Sequence, residues 1–131
     1  MAIEKIYIFN YGSLIALLEF HNNHVEIKTS FDSESLGHSM DLLARLMLAH
    51  NNSTRKHFHL NRFAGSFGRE YIVLIKHNSP RQSASILGLA RKLANELDKL
   101  DIMDVDTASY RVVDILRKNK FLDKNIYKIN N

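Results

Sequence analysis

Apolar and polar positions follow two periods along this chain, and the change from one to the other marks its elements. Ile6-Tyr-Ile-Phe9 is a β-branched and aromatic run that predicts a strand over Ile3 to Asn10. Asn10-Tyr-Gly12 suits a tight turn, because Asn and Gly tolerate positive φ. Leu14 to Phe20 is a second apolar run, expected to return as the other half of a hairpin, although its leucines and alanine also suit a helix. Two near-continuous apolar runs imply central strands covered on at least one face. His21 to His24 is a loop, and Val25 to Thr29 extends the pairing.

The period then lengthens. Asp32-Ser-Glu-Ser35 opens a helix, with Asp or Ser capping the free N–H groups and Glu34 suiting the positive end of the dipole. Leu36, Met40, Leu43 and Met47 form its apolar stripe, widened by Leu42, Leu46 and Ala49, and it stops near His50. His57-Phe-His-Leu60 alternates polar with apolar, which marks a half-buried strand with Phe58 and Leu60 on the core side. Arg62 to Phe67 is another short strand with Gly65-Ser-Phe-Gly68 as its turn, and Glu70 to His77, through Tyr71-Ile-Val-Leu-Ile75, is the clearest strand of all.

A long second helix follows from Ser79 to Leu100. Ser79 is its expected cap, Pro80 its first residue and Gln82 the partner in a capping box. Ile86, Leu89, Leu93, Leu97 and Leu100 line one face, beside Ala90 and Ala94. Asp101 to Asp106 breaks the pattern, and Asp106 or Thr107 caps a third helix carrying Tyr110, Val113, Ile115 and Leu116. Phe121 to Ile129 is ambiguous, and residues 119–131 form a C-terminal extension. The order strand, strand, helix, strands, helix, helix predicts an α+β fold (an α/β sandwich): an antiparallel sheet of about five strands with helices packed on it by their leucine stripes, all in one domain spanning 1–131.

Composition narrows the possible functions. At 45% apolar and 24% charged residues, the chain has the balance of a folded domain and not of a disordered one. It has no cysteine, so disulfides, thiolate metal sites, iron–sulfur clusters and a cysteine nucleophile are excluded; this favours the cytosol. There is no transmembrane run, and the N-terminus lacks the marks of a signal peptide. A cytoplasmic location is expected, with any membrane association made through a partner.

The chemistry-bearing residues form no recognised motif. His57 and His59 share a strand face as two metal ligands could, but a third ligand is not evident, and the alternative is a solvent-facing strand. The other histidines receive no role. No Gly-x-Ser-x-Gly elbow is present, and Ser13, Ser33 and Ser79 are better explained as turn or cap residues. Asp98, Asp101, Asp104 and Asp106 fit a solvated connection better than an acid–base pair. There is no Gly-x-Gly-x-x-Gly or Walker loop. No enzyme activity, cofactor or metal is therefore expected. The net charge of +4 leaves nucleic-acid binding as an alternative, through a basic patch at Arg55, Lys56, Arg62 and Arg69 or a second basic region from Arg117 to Lys128. Phe58, Phe63 and Phe67 are expected in the core or in turns, not on a stacking platform.

With this order of elements, the chain resembles the longin-like (SNARE-like) fold, and within it longin and roadblock domains. Ile6-Tyr-Ile-Phe-Asn-Tyr-Gly-Ser-Leu-Ile15 looks like their opening hairpin, Leu36 to His50 their first helix, His57 to His77 their return strands, and Ser79 to Leu100 and Thr107 to Asn119 their last two helices. The pattern is similar to the N-terminal longin-type domains of signal recognition particle receptor α subunits, and to those of adaptor small chains and vesicle SNAREs. The acidic connection and the residues beyond Leu116 depart from it, and no SNARE heptads follow. The resemblance implies a non-catalytic module for protein–protein interaction that regulates or scaffolds a small GTPase or a membrane-trafficking complex, paired as a homodimer or with another longin- or roadblock-like chain. Its candidate partner surface is Met40, Leu43 and Met47 on the first helix, which the helical spacing alone would place in the core.

Overall fold

The computed structural model describes residues 2–10, 13–22, 24–50, 56–100, 105–122 and 128–130. In chain order these give β1 (Ile3–Asn10), β2 (Ser13–Phe20), β3 (His24–Lys28), α1 (Ser33–His50), β4 (His57–Leu60), β5 (Phe63–Phe67), β6 (Tyr71–His77), α2 (Ser83–Asp98), α3 (Val105–Lys118) and β7 (Lys128–Asn130). The fold is α+β, an α/β sandwich built on one sheet with the order β4-β5-β6-β1-β2-β3-β7. Six strands pair antiparallel, one more than the sequence pattern predicts, because the segment expected only to extend the hairpin forms a strand of its own, β3 (His24–Lys28), on β2. The short β7 joins β3 in parallel at the far edge.

The apolar runs are continuous because both sides of the sheet are covered. On β6, Tyr71, Val73 and Ile75 enter one cluster, with Ile6 and Ile8 of β1 and the stripes of α2 and α3. Ile72 and Leu74, between them in sequence, enter a second cluster with Phe9, Leu14, and Leu43 and Leu46 of α1. A strand with helices on both faces has no polar side to alternate with. Ile6–Phe9 lies between Leu14–Phe20 and Tyr71–Ile75, and Leu14 to Phe20 is strand, not helix.

At the helix ends one local signal forms the expected cap and others do not. Asp32 caps α1 as expected: its Oδ1 accepts the Ser35 N–H at 2.7 Å, and its carbonyl accepts the Leu36 N–H at 3.0 Å. The capping box at Ser79 does not form. Pro80–Gln82 makes a 3-10 turn, Ser79 makes no side-chain cap bond, and α2 starts only at Ser83, whose hydroxyl donates to the Pro80 carbonyl at 2.7 Å. Ser79 instead gives its backbone N–H to the ring of His77. Asp106 and Thr107 already lie inside α3, so neither is its cap, and residues 101–104, in the acidic connection, lie outside the described residues.

At its other end α3 closes with a Schellman motif. Phe121 N–H returns to the Leu116 carbonyl at 2.9 Å and Lys120 N–H to Arg117 at 3.1 Å, with Lys120 at a φ of 60°. Phe121 packs on the cluster that contains Leu116, the apolar contact such a cap usually carries.

The segment Gly65-Ser-Phe-Gly68 corrects the expected turn. Gly65 to Phe67 are strand residues of β5 paired with β6, and the reversal falls at Gly68 to Glu70. Gly65 is there because the Phe58 ring, its partner on β4, lies across it; a Cβ at Gly65 would stand 2.4 Å from Phe58 Cζ. The predicted turn at 11–12 lies outside the described residues, but Asn10 does pair with Ser13 on either side of it.

Candidate functional site

The inward side of α1 carries Ser39, Leu43 and Leu46, all buried. A helix advances 100° per residue, so Leu36, Met40 and Met47 fall along one flank of that inward line. Met40 is half-buried, while Leu36 and Met47 are 37% and 38% exposed. The three predicted interface residues are therefore divided: Leu43, 3% exposed, belongs to the core, and Met40 and Met47 lie on the flank with Leu36. From Leu36 to Met47 this apolar flank runs roughly 16 Å along the helix. Leu48, 68% exposed, points about 100° further around the helix than Met47 and is not part of this flank.

The predicted basic patch does not form one surface. Arg55 lies outside the described residues. Lys56 and Arg69 meet at one end of β5, where they line a cavity of about 400 Å³ with Phe67, Gly68, Asn95 and Asp98. Arg62 stands at the other end, roughly 13 Å away along the strand. It pairs with Glu4 of β1 and donates from Nε to the His77 carbonyl at 3.1 Å. Lys56 and Arg69 also face a carboxylate: Asp98 Oδ2 accepts the Arg69 N–H at 2.6 Å and Oδ1 the Glu70 N–H at 3.0 Å. Asp98 thus pins the β5–β6 turn to the end of α2, and Gly68 is needed beneath it, since a Cβ there would stand 2.7 Å from Asp98 Oδ2.

Phe58, Phe63 and Phe67 are half-buried on the α1 side of the sheet, with Phe58 tilted against Phe67 at 5.6 Å between ring centres. Leu60, expected in the core, is 41% exposed, because β4 ends the described sheet and α1 does not reach over it far enough to bury that side chain.

His57 and His59 do project to one face of β4, as their alternation requires. What the sequence reading missed is His77. This ring is 1% exposed, and its Nε2 lies 2.8 Å from His59 Nε2. Burial pushes the His77 imidazole below its usual range, and the neighbouring His59 and Arg62 push it the same way. The available signal was position: His77 follows Tyr71, Val73 and Ile75 at a spacing of two, on the same inward face.

On the outer side of α3, Thr107, Tyr110, Arg111, Val113, Asp114 and Arg117 border an open depression of about 520 Å³. Arg111 is tied there to Asp114 and to Glu96 of α2, which fixes the two helices to each other. Among the described residues, no three His, Asp or Glu side chains come together as a metal site would need, and no helix is long and apolar enough to cross a membrane. No protein-family model matches the chain, and no curated protein and no solved structure is found to be similar to it.

Proposed function

We propose that this protein is a non-catalytic, longin-like interaction module that pairs with a second chain of the same fold through the exposed flank of α1. The observation that carries this reading is the division of the α1 stripe. Leu43 and Leu46 enter the core beneath the helix and Met40 is half-buried against it, yet Leu36 and Met47 on the same flank keep apolar side chains at the surface. Methionine adapts its shape readily, which suits a contact formed after folding. The arrangement of an opening hairpin, one helix on the first face, three returning strands and two helices on the second face also supports kinship with longin and roadblock domains. In that kinship the pair regulates or scaffolds a small GTPase or a trafficking assembly.

Light scattering after size exclusion tests the pairing. The expected result is a dimer that Leu36→Glu and Met47→Glu, both at surface positions, convert to a monomer. A wild-type chain that stays monomeric up to about 1 mM, where an interface worth about −4 kcal/mol would register, overturns the reading. So does a dimer indifferent to both charges. The GTPase role is tested by co-elution of the dimer with small GTPases of the same cell, loaded with GDP or a GTP analogue; without co-elution that part of the proposal falls.

A further inference from the structure

We propose that His59 and His77 form a proton-operated latch, which holds β4 to β6 across β5 while both rings are neutral and releases β4 in mildly acidic solution.

The hydrogen bonds around the pair dictate where its protons sit. The Ser79 N–H points at His77 Nδ1 from 3.2 Å, so Nδ1 must present a lone pair. A neutral His77 then carries its proton on Nε2, where it faces His59 Nε2 at 2.8 Å. To accept it, His59 must be bare at Nε2 and protonated at Nδ1. The same tautomer argues against a metal between the rings, since a metal at His77 Nε2 would place the ring proton on Nδ1, against the Ser79 N–H.

One added proton breaks this arrangement from either end. On His59 it sets two N–H groups against each other. On His77 it sets an N–H against the Ser79 N–H. Both place a new positive charge beside Arg62, which donates to the His77 carbonyl. The surroundings of the buried His77 ring offer little to offset that charge. From β1, Glu4 faces this region, but it is already shared by Arg62 and Lys76. From β4, His57 shares the face of His59 and adds no anion. Arg81, in the turn that follows β6, is exposed and also cationic. The buried face of α2, which packs over β4, β5 and β6, is Ile86, Leu89, Ala90, Leu93, Ala94 and Leu97, with no titratable group.

The direction with pH follows. The folded state favours the neutral His77 ring, so the unfolded or opened chain takes up the proton there first. The hold is complete above the ordinary imidazole value of 6.5 and is lost as pH falls below it. β4 is the element that responds. It is four residues long and ends the described sheet, so it opens at lower cost than the strands buried between neighbours. Below β4, the small Ala64 that pairs with His59 leaves room for the two rings to meet.

Two measurements test this on the intact protein. Nitrogen-15 shifts of the imidazoles at about pH 7.5 should show opposite tautomers, Nε2–H at His77 and Nδ1–H at His59. Amide hydrogen exchange, corrected for its intrinsic pH dependence, should show the β4–β5 amides losing about tenfold or more in protection between pH ~7.5 and ~5, while those of β1–β2 do not. His59→Gln keeps an acceptor for the His77 proton but cannot titrate, and it should cut that loss to about threefold or less. Equal tautomers in the two rings overturn the latch. So does an acid response shared equally by β4–β5 and β1–β2, or one that His59→Gln leaves unchanged.

Discussion

Replacing Gly65 by alanine adds one methyl group where the Phe58 ring already lies. The new Cβ would stand 2.4 Å from Cζ and 2.5 Å from Cε1 of that ring, far inside van der Waals contact. The ring cannot simply tip away without loss, because it is in contact with Phe67. Overpacking of this kind costs about 1–3 kcal/mol, and disturbing an aromatic pair adds about 0.5–1.5 kcal/mol. Alanine in a strand returns about 0.5–1 kcal/mol through its lower backbone entropy. The net expectation is a loss of about 2 kcal/mol. With an unfolding entropy near 2.1 cal/mol/K per residue, a chain of this size should melt about 7 °C lower. Thermal and urea unfolding followed by circular dichroism measure it. The decisive step is a double-mutant cycle with Phe58→Ala. Once the ring is gone, Gly65→Ala should be neutral or stabilising by up to about 1 kcal/mol. If alanine costs the same with and without the ring, the close approach of Phe58 is not the reason for a glycine here.

Three further outcomes follow from single positions. Lys120 holds a φ of 60° at the end of α3 and is exposed; Lys120→Gly removes the Cβ strain and should raise stability by about 0.5–1 kcal/mol in urea unfolding. Ser109 is fully buried, and among the described residues its hydroxyl finds no hydrogen-bond partner, so Ser109→Ala should be stabilising by about 1 kcal/mol; a loss of that size would mean the hydroxyl is bonded. Leu43→Ala should cost about 2–5 kcal/mol, whereas Met47→Ala should change monomer stability by less than about 0.5 kcal/mol, which separates the core side of α1 from its flank.

The sequence is a sufficient guide where one residue's neighbours in the chain are also its neighbours in space. Asp32 caps α1 through Ser35, three residues on, so the signal and the bond are both local. It is not where a distant group intervenes. Gly65 and Gly68 have the spelling of a turn, but Gly65 is shaped by Phe58 on the next strand, and Gly68 by Asp98, thirty residues on. Ser79 has the spelling of a capping box, but His77 and the 3-10 turn take up its backbone. The four cations of the expected patch are close in sequence, yet a strand separates Arg62 from Lys56 and Arg69.

The sequence by itself determined the elements: the apolar period distinguishes strand from helix wherever a run is long, because burying a face demands that repeat. It determined the fold class too, since hairpin-linked strands pair antiparallel and leucine-striped helices must lie on them. Tertiary structure alone decided which helix covers which face, which residues of the α1 stripe remain at the surface, and that His59 would find His77. Those facts depend on how strands far apart in the chain are ordered in the sheet, and no local period encodes that order.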